Sequence, residues 1–321
     1  MQNYKLGFDK RIYIAGHKGM FGSAIVRLFQ ERGYKNLILK SSKELDLGDA
    51  VAVKNFFDKE TPQVVILAAA RVGGIQANLD APAEFLYENL MIQNNVIHQS
   101  YLHGVEKFCF LGSSCIYPRE CAQPMKEEYL LGGPLEPTNE GYALAKVCGL
   151  KMVELYRKQY KFPGISLMPC NLYGTNDSFD PIHSHVLSAL VKKMVDAVEM
   201  NLPSVSLWGT GIAKREFMHV DDAADAVLYF LDKEIGSDLI NIGWGEDISI
   251  KDLAIKIAEF AGYNGELVWD KSKPDGMLRK CMDVSRMKNQ GFVPKIPLDA
   301  GIQKTIEEYG AIMKKSARRE Q

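Results

Sequence analysis

The stretch Gly16-His17-Lys18-Gly19-Met20-Phe21-Gly22 constrains this chain more than any other, because it joins an apolar run (residues 11–15) directly to a segment whose apolar residues recur at helical spacing (residues 20–32). Glycines in a strand-to-helix turn have separate tasks. One makes the turn, one lets the backbone approach a pyrophosphate, and one lets the helix lie close on the strand. The helix that opens there offers free N–H groups and the positive end of its dipole to an anion. In that position the turn reads as a phosphate-binding turn, with Gly16, His17, Lys18, Gly19, Met20, Phe21 and Gly22 around the phosphates of a dinucleotide.

The front half continues the alternation. Strands are expected at 36–39, 64–68, 107–111 and 164–169, and helices at 50–59, 82–100 and 142–160. The run at 64–68 is apolar throughout, as a strand buried on both faces is. Repeated strand–helix–strand units predict an α/β fold, a doubly wound parallel sheet with right-handed crossovers. After residue 172 the rhythm breaks. Residues 171–181 are rich in Asn, Asp, Gly and Pro and read as a loop. Helices are expected at 186–200, 221–231, 250–261 and 298–309, with short strands at 205–207, 239–242 and 267–269. The expected organisation is a dinucleotide-binding domain over 1–172 and a smaller substrate lobe over 173–321, interleaved with late strands of the main sheet. Residues 314–321 are charged and expected to fray.

Composition narrows the functional classes. The chain has 321 residues, 46% hydrophobic and 25% charged, so a full core is available. A net charge of −1 provides no field for nucleic acid or an anionic membrane. No apolar stretch approaches the roughly 20 residues of a membrane span, and residues 1–10 lack a signal-peptide run. The six cysteines are scattered without C-x-x-C spacing, which fits free thiols in a reducing cytoplasm and no metal site.

The end of the second strand bears on the cofactor. An acid there would bond a ribose 2′-hydroxyl, but this chain has Lys40-Ser41-Ser42. Lys40 and Ser42 suit a 2′-phosphate, so NADPH/NADP is expected, with Asp46 placed for the adenine. Lys40 as a plain surface lysine is the alternative. Tyr142 and Lys146 stand at i and i+4 on one helix face, where an ammonium favours the phenolate and lowers a tyrosine pKa. Ser113 follows the strand 107–111 at a carboxyl end, where doubly wound sheets place ligands. Ser113, Tyr142 and Lys146 together form a set that polarises a carbonyl and hands it a proton.

These motifs resemble the extended short-chain dehydrogenases/reductases. The resemblance becomes specific at Gly112-Ser113-Ser114-Cys115-Ile116-Tyr117-Pro118, where many sugar-nucleotide dehydratases carry Asp-Glu after the Ser or Thr. Ser114-Cys115 looks like the GDP-L-fucose synthase family, the 3,5-epimerase/4-reductases of GDP-4-keto-6-deoxymannose. Ala68–Ile75, Glu136–Asn139, Asn171–Gly174, Trp208–Gly211 and Lys273–Gly276 are similar to the same family, so the likeness spans nearly the whole chain. It implies that Ser113, Tyr142 and Lys146 serve reduction at C4, and that Cys115 and His185 serve epimerisation at C3 and C5. It implies NADP contacts at Ala69, Leu111, Gly112, Ser113, Ser114, Lys146, Pro169, Asn171, Leu172 and His185. Lys193, Trp208, Arg215, Asp275 and Lys280 would hold the GDP-sugar, and a homodimer would form through the helices at 82–100 and 142–160. Family members carry Arg in place of Lys193, which cannot form the bidentate fork.

Taken singly, these residues have plainer readings. Cys115 could be a small buried hydrophobe, and His183 is a rival to His185. Trp208 could simply pack, and Arg215 could pair with Glu216. A 4-epimerase of the same fold with tightly held NAD, and a non-catalytic NADP sensor, are the competing functions.

Overall fold

The computed structural model describes residues 6–180, 184–233, 239–273 and 275–317. His183 and the last residues of the charged tail lie outside them.

In chain order the strands are β1 (Ile12–Ala15), β2 (Leu37–Ile38), β3 (Val64–Leu67), β4 (Lys107–Leu111), β5 (Gly164–Pro169), β6 (Asn171–Tyr173), β7 (Ser204–Trp208), β8 (Lys214–His219), β9 (Leu239–Ile242), β10 (Asp247–Ser249), β11 (Glu266–Asp270) and β12 (Arg279–Lys280). The helices are α1 (Met20–Glu31), α2 (Ala50–Glu60), α3 (Ile75–Asp80), α4 (Pro82–Leu102), α5 (Glu140–Tyr160), α6 (Val186–Glu199), α7 (Val220–Asp232), α8 (Ile250–Ala261), α9 (Ser285–Asn289) and α10 (Leu298–Ala317).

Six strands form one parallel sheet in the order β2-β1-β3-β4-β5-β9. Every residue of β1, β3 and β9 is buried, which explains the continuous apolar sequences of β1 and β3. α1 packs with α7, while α2, α4 and α5 pack side by side, so the sheet is covered on both faces. The doubly wound expectation holds, including a late strand, β9, returning to the sheet beside β5.

The later half builds a second apolar core from α6, α8 and α10, with Leu187, Val191, Met194, Leu253, Ile257 and Ile302 fully buried. Over it, β8 is flanked by β10 and β12, with β6 paired to it as well, and β7 pairs with β11. Several details depart from the sequence reading, among them β8, β10, β12 and α9, none of which was expected. Residues 171–173, read as loop, form β6, because β8 supplies its ladder partners. The short helix α3 was unforeseen. The last helix runs to Ala317 rather than ending near 309.

Glu216 ties the lobe to the sheet. It is fully buried, and its carboxylate accepts hydrogen bonds from the backbone N–H of Gly245 (2.7 Å) and Met282 (2.8 Å). Gly243 makes room for it, since a Cβ there would come within 2.1 Å of Glu216 Oε1. Burial pushes its pKa up to about 7, against these backbone donors. Arg215 and Glu216 therefore do not pair: successive strand residues face opposite ways, and Glu216 is spent on backbone. Glu216→Ala leaves those N–H groups orphaned inside the protein, and we expect a loss of about 2–4 kcal/mol. Urea unfolding at neutral pH measures it; an unchanged midpoint would contradict this assignment.

Candidate active site

The turn after β1 is built as its glycines require. Gly16 has φ +85°, and a Cβ on it would meet the Ala69 backbone nitrogen at 2.7 Å. A Cβ on Gly22 would lie 2.1 Å from the Gly16 carbonyl oxygen, so α1 can pack this close only with glycine. Gly19 caps α1 without a side-chain bond, and no acid occupies the first turn. The N–H groups at that helix start are left for a ligand, and the Nδ1 of His17 is buried there without a partner. The shape and chemistry fit a dinucleotide pyrophosphate.

At the end of β2, Lys40 forms an ion pair with Glu60 at 3.4 Å, and Ser42 is exposed. Glu44 turns back to accept from the Ser41 N–H (2.8 Å) and hydroxyl (2.5 Å), and Asp46 accepts from the Gly48 N–H (2.8 Å). These bonds lower the Glu44 pKa, so a carboxylate does stand near the cationic Lys40 and Lys18.

Ser113, Cys115, Tyr142 and Lys146 come together beyond the carboxyl end of β4. Ser113 accepts from the Cys115 N–H (3.4 Å), opening a short 3-10 turn over Ser114–Ile116. Its hydroxyl is close enough to the Tyr142 phenol and the Cys115 thiol to favour the anion of each. Lys146 is buried and donates to the Leu111 carbonyl at 2.9 Å, with its Nζ 5.0 Å from the Phe110 ring centre and 5.7 Å from that of Tyr142.

The electrostatics differ from the sequence expectation. Burial raises the Tyr142 pKa, and a nearby Cys115 thiolate would raise it further, while only Ser113 acts the other way. Desolvation, not the ammonium that was expected to lower it, sets the direction, so burial favours the protonated phenol, the state a proton donor needs. Burial also raises the Cys115 thiol, opposed first by the charge of Lys280 and then by Ser113 and Lys146. The Lys146 pKa falls to about 8 for the same reason of burial.

The lobe contributes cations. Arg215 and Lys280 are neighbours in register on β8 and β12, and burial lowers the pKa of both. Asp275 accepts from the Thr210 N–H and hydroxyl, both at 2.7 Å, and so fixes the turn that follows Trp208. Trp208 is 67% exposed, with the Lys273 ammonium 5.6 Å from its ring, so it is not packed into a core. Lys193 donates to the Ser206 carbonyl at 2.8 Å. Asn171 donates to the Glu216 carbonyl at 2.8 Å, and Leu172 is buried beside it in β6. Ala69 lies against Gly16, and Pro169 ends β5. His185 stands at the start of α6, with its ring against Asp177. Sequence reading assigned no role to Asp177, Thr210 or Glu216; Thr210 stands within the Trp208–Gly211 motif, but only folding shows the partners of all three.

The unfavourable burial of Lys146 yields a prediction. A base whose pKa falls from 10.5 to about 8 on folding destabilises the fold at low pH, and the deficit is relieved as pH rises through 8 to 10.5. Lys146→Met should therefore abolish turnover yet raise stability at pH 7 by about 1–3 kcal/mol, after allowing for the lost bond to Leu111. The gain should shrink towards pH 10. Denaturant titrations at the two pH values measure it, and a destabilised variant at pH 7 would refute the assignment.

The NAD dependent epimerase/dehydratase family matches residues 12–243. GDP-L-fucose synthase 1 of Arabidopsis thaliana is 50% identical over 299 residues, covering 93% of each chain. A GDP-mannoheptose C4 reductase from Campylobacter jejuni with NADP bound superposes with TM-score 0.87 and 40% identity, covering 95% of this chain and 99% of its own. A GDP-L-fucose synthetase from Naegleria fowleri bound to NADP superposes with TM-score 0.87 and 28% identity, covering 96% of both.

Proposed function

The chain belongs to the NAD dependent epimerase/dehydratase family, in its GDP-L-fucose synthase branch, and from that premise we propose its reaction. It is an NADP(H)-dependent enzyme that converts GDP-4-keto-6-deoxy-D-mannose to GDP-L-fucose, by epimerisation at C3 and C5 and then reduction at C4. The observation that carries this reading is the convergence of Ser113, Cys115, Tyr142 and Lys146 at one strand end. A 4-epimerase has no need for a thiol held beside two ammonium groups.

The ketone at C4 acidifies the hydrogens on C3 and C5. Removal of either places charge on O4, where the Ser113 and Tyr142 hydroxyls are preorganised donors. Cys115, whose thiol burial keeps protonated and whose anion Lys280 and Lys146 favour, takes the proton. His185 returns one, and inversion follows if it acts from the opposite face. NADPH held at the turn after β1 would supply the hydride for C4. Tyr142, held protonated by burial, then gives O4 its proton, and Lys146 holds the nicotinamide ribose. Arg215, Lys280 and Lys193 take the diphosphate and Trp208 the rest of the GDP moiety, while the turn at Gly16–Gly22 with Lys40, Ser42 and Asp46 takes the cofactor.

The same reading assigns residues 1–172 chiefly to the cofactor and 173–321 chiefly to the sugar nucleotide, in keeping with the second apolar core. Exposed Tyr87 on α4 with Leu144 and Leu155 on α5 support a homodimer through those helices. Among the described residues no helix is long and apolar enough to cross a membrane. A cytoplasmic location suits the six free cysteines.

Incubation with GDP-4-keto-6-deoxymannose and NADPH should yield GDP-L-fucose; unconverted substrate would end this proposal. Without NADPH, in deuterated water, the enzyme should exchange hydrogen at C3 and C5, and Cys115→Ser should slow both by a factor of about 10²–10⁴. The variant should keep reduction and give a 6-deoxy sugar with C3 and C5 uninverted. Exchange at the normal rate would release Cys115 from this role. NADPH should also exceed NADH in kcat/KM, with Lys40→Asp narrowing the gap by repelling the 2′-phosphate. Equal use of both by the unmodified enzyme would contradict that.

A further inference from the structure

His185 and the dinucleotide turn are joined through two residues that no motif singles out. The chain leaves β6 at Gly174 and reaches Asn176, whose φ of +69° is left-handed. Its side-chain amide donates to the Lys18 carbonyl at 3.1 Å and to the Ser23 hydroxyl at 3.2 Å, both beside the phosphate-binding glycines. Next comes Asp177, whose side chain is 3% exposed. Its Oδ1 accepts from the Ser178 N–H at 2.8 Å and lies 3.5 Å from Nδ1 of His185. Its Oδ2 accepts from the Ser188 hydroxyl in the first turn of α6. The imidazole itself is 61% exposed.

A carboxylate buried this deeply is costly unless its oxygens are matched by donors. Ser178, Ser188 and His185 are those donors. The arrangement fixes one ring nitrogen: with Nδ1 held on a carboxylate, Nε2 is left to give or take a proton. We propose that Asp177 is the positioning residue of His185, a carboxylate–imidazole pair that holds the ring in one orientation with Nε2 free and favours its protonated form, and that Asn176 anchors this pair to the dinucleotide turn. The proposal rests on the proton-returning role given to His185 above.

Among the described residues Asp177 is the charged group acting on His185, and its hydrogen bond and charge raise the imidazole pKa, against desolvation and against the positive end of α6. The sign follows. A raised pKa keeps the ring protonated to higher pH, so proton return persists further into the alkaline range than for a free histidine. Without the carboxylate the midpoint drops, and the protonated fraction at pH 8 falls about tenfold for a drop of one pH unit.

Asp177→Asn tests this while keeping side-chain shape and an acceptor for Ser178. The ring C2–H resonance of His185, identified by its loss in His185→Gln, is titrated by NMR in the free protein. Its midpoint should fall by about one pH unit in Asp177→Asn. The alkaline limb of the C3/C5 exchange rate should move down by the same amount, while NADPH binding and the thermal midpoint stay near those of the parent. Ser188→Ala removes the other side-chain partner of the carboxylate and should move neither titration. A His185 midpoint unchanged in Asp177→Asn overturns the pairing. A lowered midpoint with an unshifted exchange profile overturns the role of His185 in proton return, and with it the catalytic meaning of the pair. Should Asp177→Asn fail to fold, Asp177→Glu replaces it: the retained charge should keep the midpoint raised, and a midpoint at the ordinary histidine value would overturn the pairing.

Discussion

Lys146 carries its ammonium out of water at the end of β4, with the Leu111 carbonyl as its hydrogen-bond partner and the Phe110 and Tyr142 rings beside it. A charge in that position sets the geometry around it. Helix α5 must lie close enough to the sheet for a lysine to reach the last carbonyl of β4. Gly149 permits that approach, since a Cβ there would stand 2.6 Å from both Phe110 and Gln93. Gln93, buried on α4, donates to the Ala145 carbonyl at 2.6 Å and fixes the neighbouring helix as well. Tyr142, one turn before Lys146, is thereby placed over Ser113. The fold is less stable for holding this charge, and the benefit lies in what the charge does to groups nearby.

Those groups share one low-dielectric region, where each charge acts more strongly than in water. Burial pushes Cys115 and Tyr142 towards their neutral forms and Lys146 and Lys280 towards theirs. The thiol is the balance point, because both ammonium groups oppose the desolvation that keeps it protonated. Negative charge arriving on a substrate oxygen meets donors already in position, which is how such a site lowers a barrier without rearranging at the moment of reaction.

The sheet was legible in the sequence because its strands are buried on both faces. Ile12–Ala15 and Val64–Leu67 carry no polar residue, and Gly16 and Gly22 are the only residue type their close contacts admit. The lobe was less legible. β8 reads Lys-Arg-Glu-Phe-Met-His, with a buried carboxylate where alternation would put an apolar residue, and β12 is Arg-Lys. Their pairing depends on partners distant in sequence, so no local period announces it. In the site, spacing placed Tyr142 and Lys146 together but gave the wrong sign for the tyrosine. Sequence shows that an ammonium is near and cannot show how dry the phenol is. Asp177 was invisible for a related reason, since its partners Ser188 and His185 lie across a loop.

The two halves of the site are fixed by different means. Around the dinucleotide turn the constraint is steric, and any side chain at Gly22 would meet the Gly16 carbonyl. In the lobe it is electrostatic. Arg215 and Lys280 sit in register on adjacent parallel strands, so their side chains share a face and repel. The repulsion contributes to lowering the Lys280 pKa. Asp275 offsets part of the Arg215 charge from nearby, but both its oxygens are already engaged by Thr210. Glu136 acts on Lys280 as well but is shared with Arg119, so the two half-desolvated cations keep a deficit of negative charge. A diphosphate between them would remove it, and in doing so would weaken the hold of Lys280 on the thiolate of Cys115. If the diphosphate binds there as proposed, nucleotide binding and the basicity of the thiol are coupled through one lysine.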